Sequence, residues 1–194
     1  LVARRSSVAG LSDTDQALVD RLRDGPISLI ELAQDPVYRT FLMERVRRLT
    51  ARQAVMRAAF TPTDALHVLG HFKIWSTEAA RLGAELLAAQ LGTSADEVCE
   101  RVVETVSDRV AAELVTKVLA DEVAPADWSG EPVASGLLAR ALNVVVETDL
   151  NCEFRLRRPV VAVGAPVGAY LPRTAEQLHT SLVLPEHAGV ANAV

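Results

Sequence analysis

The sequence predicts a helix-rich α/β protein, and two patterns carry that prediction. Apolar residues recur at helical spacing along most of the chain up to Glu147. In the last quarter, two short apolar runs, Val160 to Val163 and Ser181 to Leu184, alternate with the helical pattern of Val167 to Leu178. Continuous apolar strands that alternate with helices are typical of a parallel sheet covered on both faces. We therefore expect a β-α-β-α arrangement there, with the last helix opening at Pro185.

Composition narrows the class of protein. The 194 residues are 49% apolar and 4% aromatic, which is typical of a soluble globular domain. A formal net charge of -5 disfavours a main task of neutralising DNA phosphates or an anionic membrane surface. Two cysteines are too few for a disulfide scaffold, and no apolar run is long enough to span a bilayer. The expected compartment is the cytoplasm.

The first 60 residues form a predicted helical, winged-helix-like subregion. Ser12 and Ser28 are placed as N-caps, and Gly25 stops the first helix. A third helix is expected over Val37 to Leu49, followed by a short strand over Ala54 to Phe60. The apolar residues expected on one face of that third helix are Phe41, Leu42, Val46 and Leu49.

A basic stretch surrounds the predicted third helix. It contains six arginines against Glu44 alone, and they are Arg39, Arg45, Arg47, Arg48, Arg52 and Arg57. A third helix with such a charge could bind nucleic acid or a protein partner. Alternatively, its arginines could simply form a solvent-exposed surface. The acidic balance of the whole chain disfavours nucleic acid as a partner.

Residues 61 to 194 form the second predicted region, a helical scaffold followed by the β-α-β-α part. Thr61 as N-cap, Pro62 at the first helical position and Asp64 three residues after the cap predict the start of a helix. Further helices are expected over Ser76 to Gln90, after Ser94, and over Glu131 to Glu147. The long helix after Ser94 carries an apolar residue every four positions, namely Val98, Val102, Val106, Val110, Leu114 and Val118.

Two places could carry chemistry. Gly164 to Gly168 lies between a predicted strand and a helix, where a ligand could approach the backbone closely; a tight turn alone would also need small residues. Asp64, His67 and His71 would share one face of an uninterrupted helix, as a metal site requires, but Gly70 weakens that helix and no metal site is assigned. The sequence has no G-x-S-x-G elbow and no Walker-type phosphate loop.

Three segments resemble the hydantoinase/oxoprolinase family. They are Phe60-Thr-Pro-Thr-Asp-Ala-Leu-His-Val-Leu-Gly70 with Trp75-Ser-Thr-Glu-Ala-Ala-Arg-Leu-Gly83, then Pro159-Val-Val-Ala-Val-Gly-Ala-Pro166, then Val183-Leu-Pro-Glu-His-Ala-Gly-Val-Ala-Asn-Ala-Val194. The resemblance implies part of the second ribonuclease-H-like half of an actin-like ATPase fold. It also implies ATP and magnesium as cofactors of a full-length enzyme that opens hydantoins or 5-oxoproline, or carboxylates a ketone with a second enzyme subunit.

The same resemblance suggests site residues. It places Val163, Gly164, Ala165 and Pro166 at the adenosine end of the nucleotide, and Thr63, Asp64 and His67 as candidate catalytic residues near the cleft. The family's Asp-x-Gly-Gly-Thr phosphate motifs do not occur in these 194 residues. We therefore expect the chain to be a later piece of a longer enzyme and to be inactive alone. Its start without methionine agrees with that expectation.

Overall fold

The computed structural model describes residues 1–4, 8–124, 128, 130–142 and 149–189. Contacts divide the chain into two compact units, Leu1–Ala59 and Phe60–Val194. This boundary lies one residue before the one expected from the sequence. α-Helices are the main secondary structure and the sheets are small, so the molecule is a helix-rich α/β protein.

The described residues of the first unit form three helices and a two-stranded antiparallel sheet. Its elements are β1 (Val2–Ala3), α1 (Asp13–Asp24), α2 (Leu29–Gln34), α3 (Leu42–Ala51) and β2 (Val55–Met56). The predicted caps are confirmed, since Ser12 accepts from Asp15 N and Ser28 accepts from Ile30 N. β1 pairs with β2, a pairing that was not predicted. The core of this unit includes Leu18, Leu32, Val46 and Leu49.

Phe41 departs from the prediction. Helix α3 begins at Leu42 instead of near Val37, and Phe41 is its N-cap residue with a left-handed φ of 54°. The Phe41 residue is 80% exposed, whereas Leu42, Val46 and Leu49 are buried as expected. The prediction that Phe41 shares their buried face is therefore wrong, because the left-handed turn takes this residue out of the helical repeat.

In the second unit, the residues that the structure describes form five further helices and a parallel strand pair. Its elements are α4 (Pro62–Val68), α5 (Thr77–Leu91), α6 (Ala95–Glu122), α7 (Pro132–Ala141), β3 (Val160–Val161), α8 (Val167–Gln177) and β4 (Leu182–Val183). The predicted caps of α4, α5 and α6 are confirmed at Thr61, Ser76 and Ser94. The predicted continuation of α7 over residues 143–147 lies outside the described residues, and so does the second half of the predicted last helix, residues 190–194. Its first half is described, and Pro185 to Gly189 form a turn and a short 3₁₀ segment, so the prediction that an α-helix opens at Pro185 is wrong for these residues.

The buried face of helix α6 is not the predicted valine stripe but the face next to it. Its buried residues are Val98, Cys99, Ser107, Ala111 and Val115. Beyond Val98, the predicted valine stripe is only half-buried, and this includes Val102 and Val106. An α-helix has 3.6 residues per turn, so residues spaced four apart rotate gradually around the helix axis. Six valine and leucine positions at this spacing therefore cannot all face the same neighbouring helix. The small residues Ser107 and Ala111 make the close contacts instead.

Strands β3 and β4 are neighbouring parallel strands, as predicted, with Val160 opposite Leu182 and Val161 opposite Val183. Helix α8 connects them and contacts β4. The expectation that this sheet is covered on both faces is wrong for the described residues. Val161 is 59% exposed and its partner Val183 is 44% exposed, whereas the adjacent Ala162 is buried. One face of the strand pair is therefore open and apolar.

Candidate functional site

The strand-to-helix turn at residues 163–166 follows β3 directly. Gly164 is buried, and its N–H donates to the carbonyl oxygen of Ala188, 2.7 Å away, in the turn that follows β4. Val163 and Ala165 are exposed on either side of it, and Pro166 is the N-cap residue of α8. The segments after two parallel strands thus meet at one sheet edge, which is where ligands bind in open α/β sheets.

Gly164 has a φ of 131°, which L-residues rarely adopt. A Cβ added there would lie 3.5 Å from Cγ1 of Val167, which is an ordinary contact. The glycine is therefore required by the backbone conformation more than by lack of space. This requirement explains its presence in the turn with or without a ligand.

Asp64 is one of the three candidate catalytic residues, and its carboxylate belongs to the α4 capping box. Oδ2 of Asp64 accepts from Thr61 N at 2.8 Å and from Thr61 Oγ1 at 2.7 Å, while Asp64 N donates to Thr61 Oγ1. This reciprocal arrangement satisfies backbone groups at a helix start that would otherwise lack partners. Thr63 and Asp64 are both half-buried in this first turn.

His67 is buried, with 1% of the residue exposed. Its Nδ1 lies 2.7 Å from the carbonyl oxygen of Thr63, which can only accept, so Nδ1 carries the proton and donates. Its Nε2 accepts from the backbone N–H groups of Ile74 at 3.2 Å and of Trp75 at 2.9 Å. Both ring nitrogens are occupied, and the arrangement requires the neutral Nδ1–H tautomer.

Aromatic contacts add to the packing of His67. The Trp75 ring stacks on it with centroids 5.6 Å apart, and the Phe72 ring stands nearly perpendicular to it with centroids 5.4 Å apart. His67 therefore fastens the loop between α4 and α5 onto α4. A catalytic role for His67 stays a prediction, but no ring nitrogen is open to a reacting group in this geometry.

The two sets of predicted site residues lie on different elements. Thr63, Asp64 and His67 lie on α4, which packs against α5 and α6. Among the described residues, no hydrogen bond or ion pair joins these three to the turn at 163–166. The two sets of candidate residues therefore have different structural surroundings, helix α4 for one and the turn after β3 for the other.

The described residues include no group of three or more His, Cys, Asp or Glu residues that could hold a metal ion. Helix α4 ends at Val68, and Gly70 then adopts a φ of 76°, so exposed His71 does not continue the helix face of His67. The thiol of buried Cys99 has a pKa raised first by burial and then by the Asp96 carboxylate. It stays a thiol at neutral pH, unlike an activated nucleophile.

Most arginines of the basic stretch form ion pairs or hydrogen bonds with residues of the first unit. The Asp15 carboxylate, whose side chain is 3% exposed, pairs with Arg48 at 2.7 Å and lies 3.5 Å from Arg45. Arg47 pairs with Glu44, and Arg52 donates to the backbone carbonyls of Ala9 and Gly10. Among the described residues, contacts with groups of the same chain are thus found for four of the six arginines.

Comparisons with protein-family models, curated proteins and solved structures gave no match to this chain. Within the part of the chain that the structure describes, no helix combines the length and apolar character needed to cross a lipid bilayer.

Proposed function

We propose that the full-length protein is an ATP-dependent enzyme of the hydantoinase/oxoprolinase type, with an actin-like ATPase fold. It would open a cyclic amide or activate a related carbonyl substrate. The observation that supports this most is the parallel β3–α8–β4 unit, whose turn holds buried Gly164 at a φ of 131° beside the segment after β4. This is the type of sheet edge at which nucleotides bind in α/β proteins.

In this proposal residues 163–166 form part of the adenosine site. Exposed Val163 would offer an apolar surface to the base, and Ala165 would leave room for close approach of the ligand. The open face formed by Val161 and Val183 is consistent with further elements that cover it in the full-length protein. ATP supplies the phosphoryl group that activates an amide or enol oxygen, and this chain's contribution is to position the nucleotide.

Magnesium does not fit the described residues, because they include no cluster of ligating side chains. No step is therefore assigned to magnesium in this chain. The sequence contains no Asp-x-Gly-Gly-Thr motif, so phosphate contacts would come from other parts of the full-length enzyme. We accordingly expect the 194-residue chain alone to release no phosphate from ATP above a heat-treated control.

The rival function is a winged-helix module that binds nucleic acid or protein. The three helices and the β1–β2 pair fit its outline, but Arg45 and Arg48 turn to Asp15 instead of presenting a free basic face. A DNA mobility-shift titration across salt concentrations separates the two functions, since phosphate binding falls steeply with added salt. We expect no salt-sensitive shift.

The adenosine site is tested by Gly164→Val in the full-length protein, with Gly92→Val as the matched control. We expect Gly164→Val to weaken binding of a non-hydrolysable ATP analogue by more than about tenfold, which is about 1.4 kcal/mol. Folding should lose about 1 to 3 kcal/mol from backbone strain. Gly92 is the exposed C-cap residue of α5 with a φ of 70°, and an added Cβ would meet nothing within 4 Å. Gly92→Val therefore carries similar backbone strain but should leave binding of the analogue unchanged.

Calorimetric titration and urea unfolding of both variants decide the matter. Unchanged analogue affinity together with a large loss of stability would mean that Gly164 serves the turn alone. The enzyme class is tested separately, by measuring phosphate release from the full-length protein with hydantoin, 5-oxoproline or a ketone. No stimulation by any of these substrates would contradict the proposed class.

A further inference from the structure

A groove of about 360 Å³ lies in the second unit, between α5 and α6 and next to the first residue of α4. Its volume falls within the range of small-molecule sites, about 300 to 1,000 Å³. It is separate from the turn at 163–166 and from the three candidate catalytic residues, none of which lines it.

The floor of this groove is aliphatic. It is formed by Leu87 and Leu91 of α5 together with Val98, Val102 and Val106 of α6. Val102 and Val106 are the stripe residues that the chain's own packing leaves half-buried. An apolar floor with a few polar groups at its margin is the usual composition of a ligand site.

Two arginines stand at the margin of the groove. Arg101 and Arg109 both line it and are exposed, and neither forms an ion pair or a side-chain hydrogen bond with any described residue. By contrast, Arg81 and Arg173 of the same unit are paired with Asp96 and Asp108.

The groove also contains one acidic side chain, Glu97, four residues before Arg101. Its carboxylate accepts from the hydroxyl of Thr93, which lines the same end of the groove. Two guanidinium groups against one carboxylate leave the lining with a net positive charge. Thr105 also lines the groove, midway between the two arginines in the sequence, and its hydroxyl donates to the backbone carbonyl of Arg101.

We propose that this groove binds a small molecule with an aliphatic body and a carboxylate head. The aliphatic body would lie on Val98, Val102 and Val106, and the carboxylate would pair with Arg101 or Arg109. Guanidinium groups bind carboxylates through paired N–H donors. The two arginines lie about 12 Å apart along the axis of α6, Arg101 just before Val102 and Arg109 beyond Val106. A cationic or uncharged head group would gain no such contact.

The proposal is tested by calorimetric titration of the 194-residue chain with decanoate below its micelle concentration. Decanol and decyltrimethylammonium serve as probes with the same chain length and a different head group. We expect one decanoate per chain, bound at least about fivefold more tightly than either probe, since a solvent-exposed charge pair contributes up to about 1 kcal/mol. Amide NMR shifts should change mainly in α5 and α6.

The variants Arg101→Gln and Arg109→Gln should each weaken decanoate binding, and the pair together should abolish the preference for the carboxylate. Arg155→Gln is the matched control, because Arg155 is exposed and does not line the groove. Thermal melts should be alike for all variants, since neither groove arginine has a side-chain partner among the described residues. Equal binding of the three head groups, or decanoate binding unaffected by the double substitution, would overturn the proposal. A stable dimer in sedimentation, together with groove amides whose NMR shifts do not respond to decanoate, would overturn it as well.

Discussion

At the scale of single residues, both ring nitrogens of buried His67 are hydrogen-bonded to the backbone of its own chain. Water is excluded from the ring, so each nitrogen needs a partner within the protein. The Thr63 carbonyl and the N–H groups of Ile74 and Trp75 supply these partners. The two N–H groups belong to a loop, so the histidine substitutes for backbone partners that the loop does not form itself.

We predict that His67→Ala lowers the free energy of unfolding by about 2 to 4 kcal/mol, through two unpaired amides and the cavity left by the ring. Urea unfolding followed by tryptophan fluorescence measures this loss, because Trp75 stacks on His67. The control is His71→Ala at an exposed position, which should stay within about 0.5 kcal/mol of the parent protein. Equal stability of the two variants would show that the loop does not depend on His67.

At the scale of elements, α6 and α8 are joined by buried polar contacts. The hydroxyl of Thr174 donates to the carbonyl of Ser107 at 3.0 Å. The single hydroxyl proton of Ser107 has two acceptors within reach, the carbonyl of Tyr170 at 2.9 Å and the carbonyl of Val103 in α6 at 3.0 Å. Both side chains are fully buried. Small side chains at this crossing allow the two helices to approach closely, and the reciprocal bonds fix how far one can slide along the other.

We predict that Thr174→Val and Ser107→Ala each cost about 1 to 2 kcal/mol of unfolding free energy, the usual effect of removing one partner of a buried hydrogen bond. Valine has nearly the shape of threonine, so the first variant isolates the bond from the packing. Thr105→Val is the control on α6, because its hydroxyl is exposed and bonds only within its own helix. Thermal unfolding in which Thr174→Val matches Thr105→Val would contradict a role for this contact.

Element positions were predictable wherever the signal is local. Ser12, Thr61, Ser76 and Ser94 cap their helices as expected, because a capping side chain bonds within three residues of itself. Long-range features were harder to predict: the pairing of β1 with β2 joins residues more than fifty positions apart. Which face of α6 is buried was also hard to predict. Both the valine stripe and the face with Ser107 and Ala111 could be buried, and the choice depends on the helices that pack against α6.

The candidate site was predictable only in part. The turn after β3 follows from an apolar run ended by Gly164, and the parallel pairing places it at a sheet edge. The structural use of His67 was not predictable, because its amide partners lie seven and eight residues further along the chain. Within the part of the chain that the structure describes, the side chains of Arg101 and Arg109 have no ion-pair partner, and this too depends on which carboxylates folding brings near them.

At the scale of the whole molecule, the two units have separate apolar cores. The core of Leu1–Ala59 includes Leu32, which is fully buried, and one core cluster of the second unit includes Leu178, also fully buried. Every residue in each of these clusters comes from its own unit. Such cores can open as distinct cooperative regions, since local unfolding follows contiguous clusters of contacts.

We predict that Leu32→Ala and Leu178→Ala each destabilise mainly the unit that carries them, by about 2 to 4 kcal/mol. Each substitution removes a fully buried side chain and leaves a cavity within a cluster drawn from one unit. Amide hydrogen exchange measured along the chain reports the result. Leu32→Ala should speed exchange in α1, α2 and α3 and leave α6 and α8 near their parent rates, while Leu178→Ala should do the reverse. If either substitution accelerated exchange equally in both sets of helices, the chain would unfold as one cooperative unit despite its separate cores.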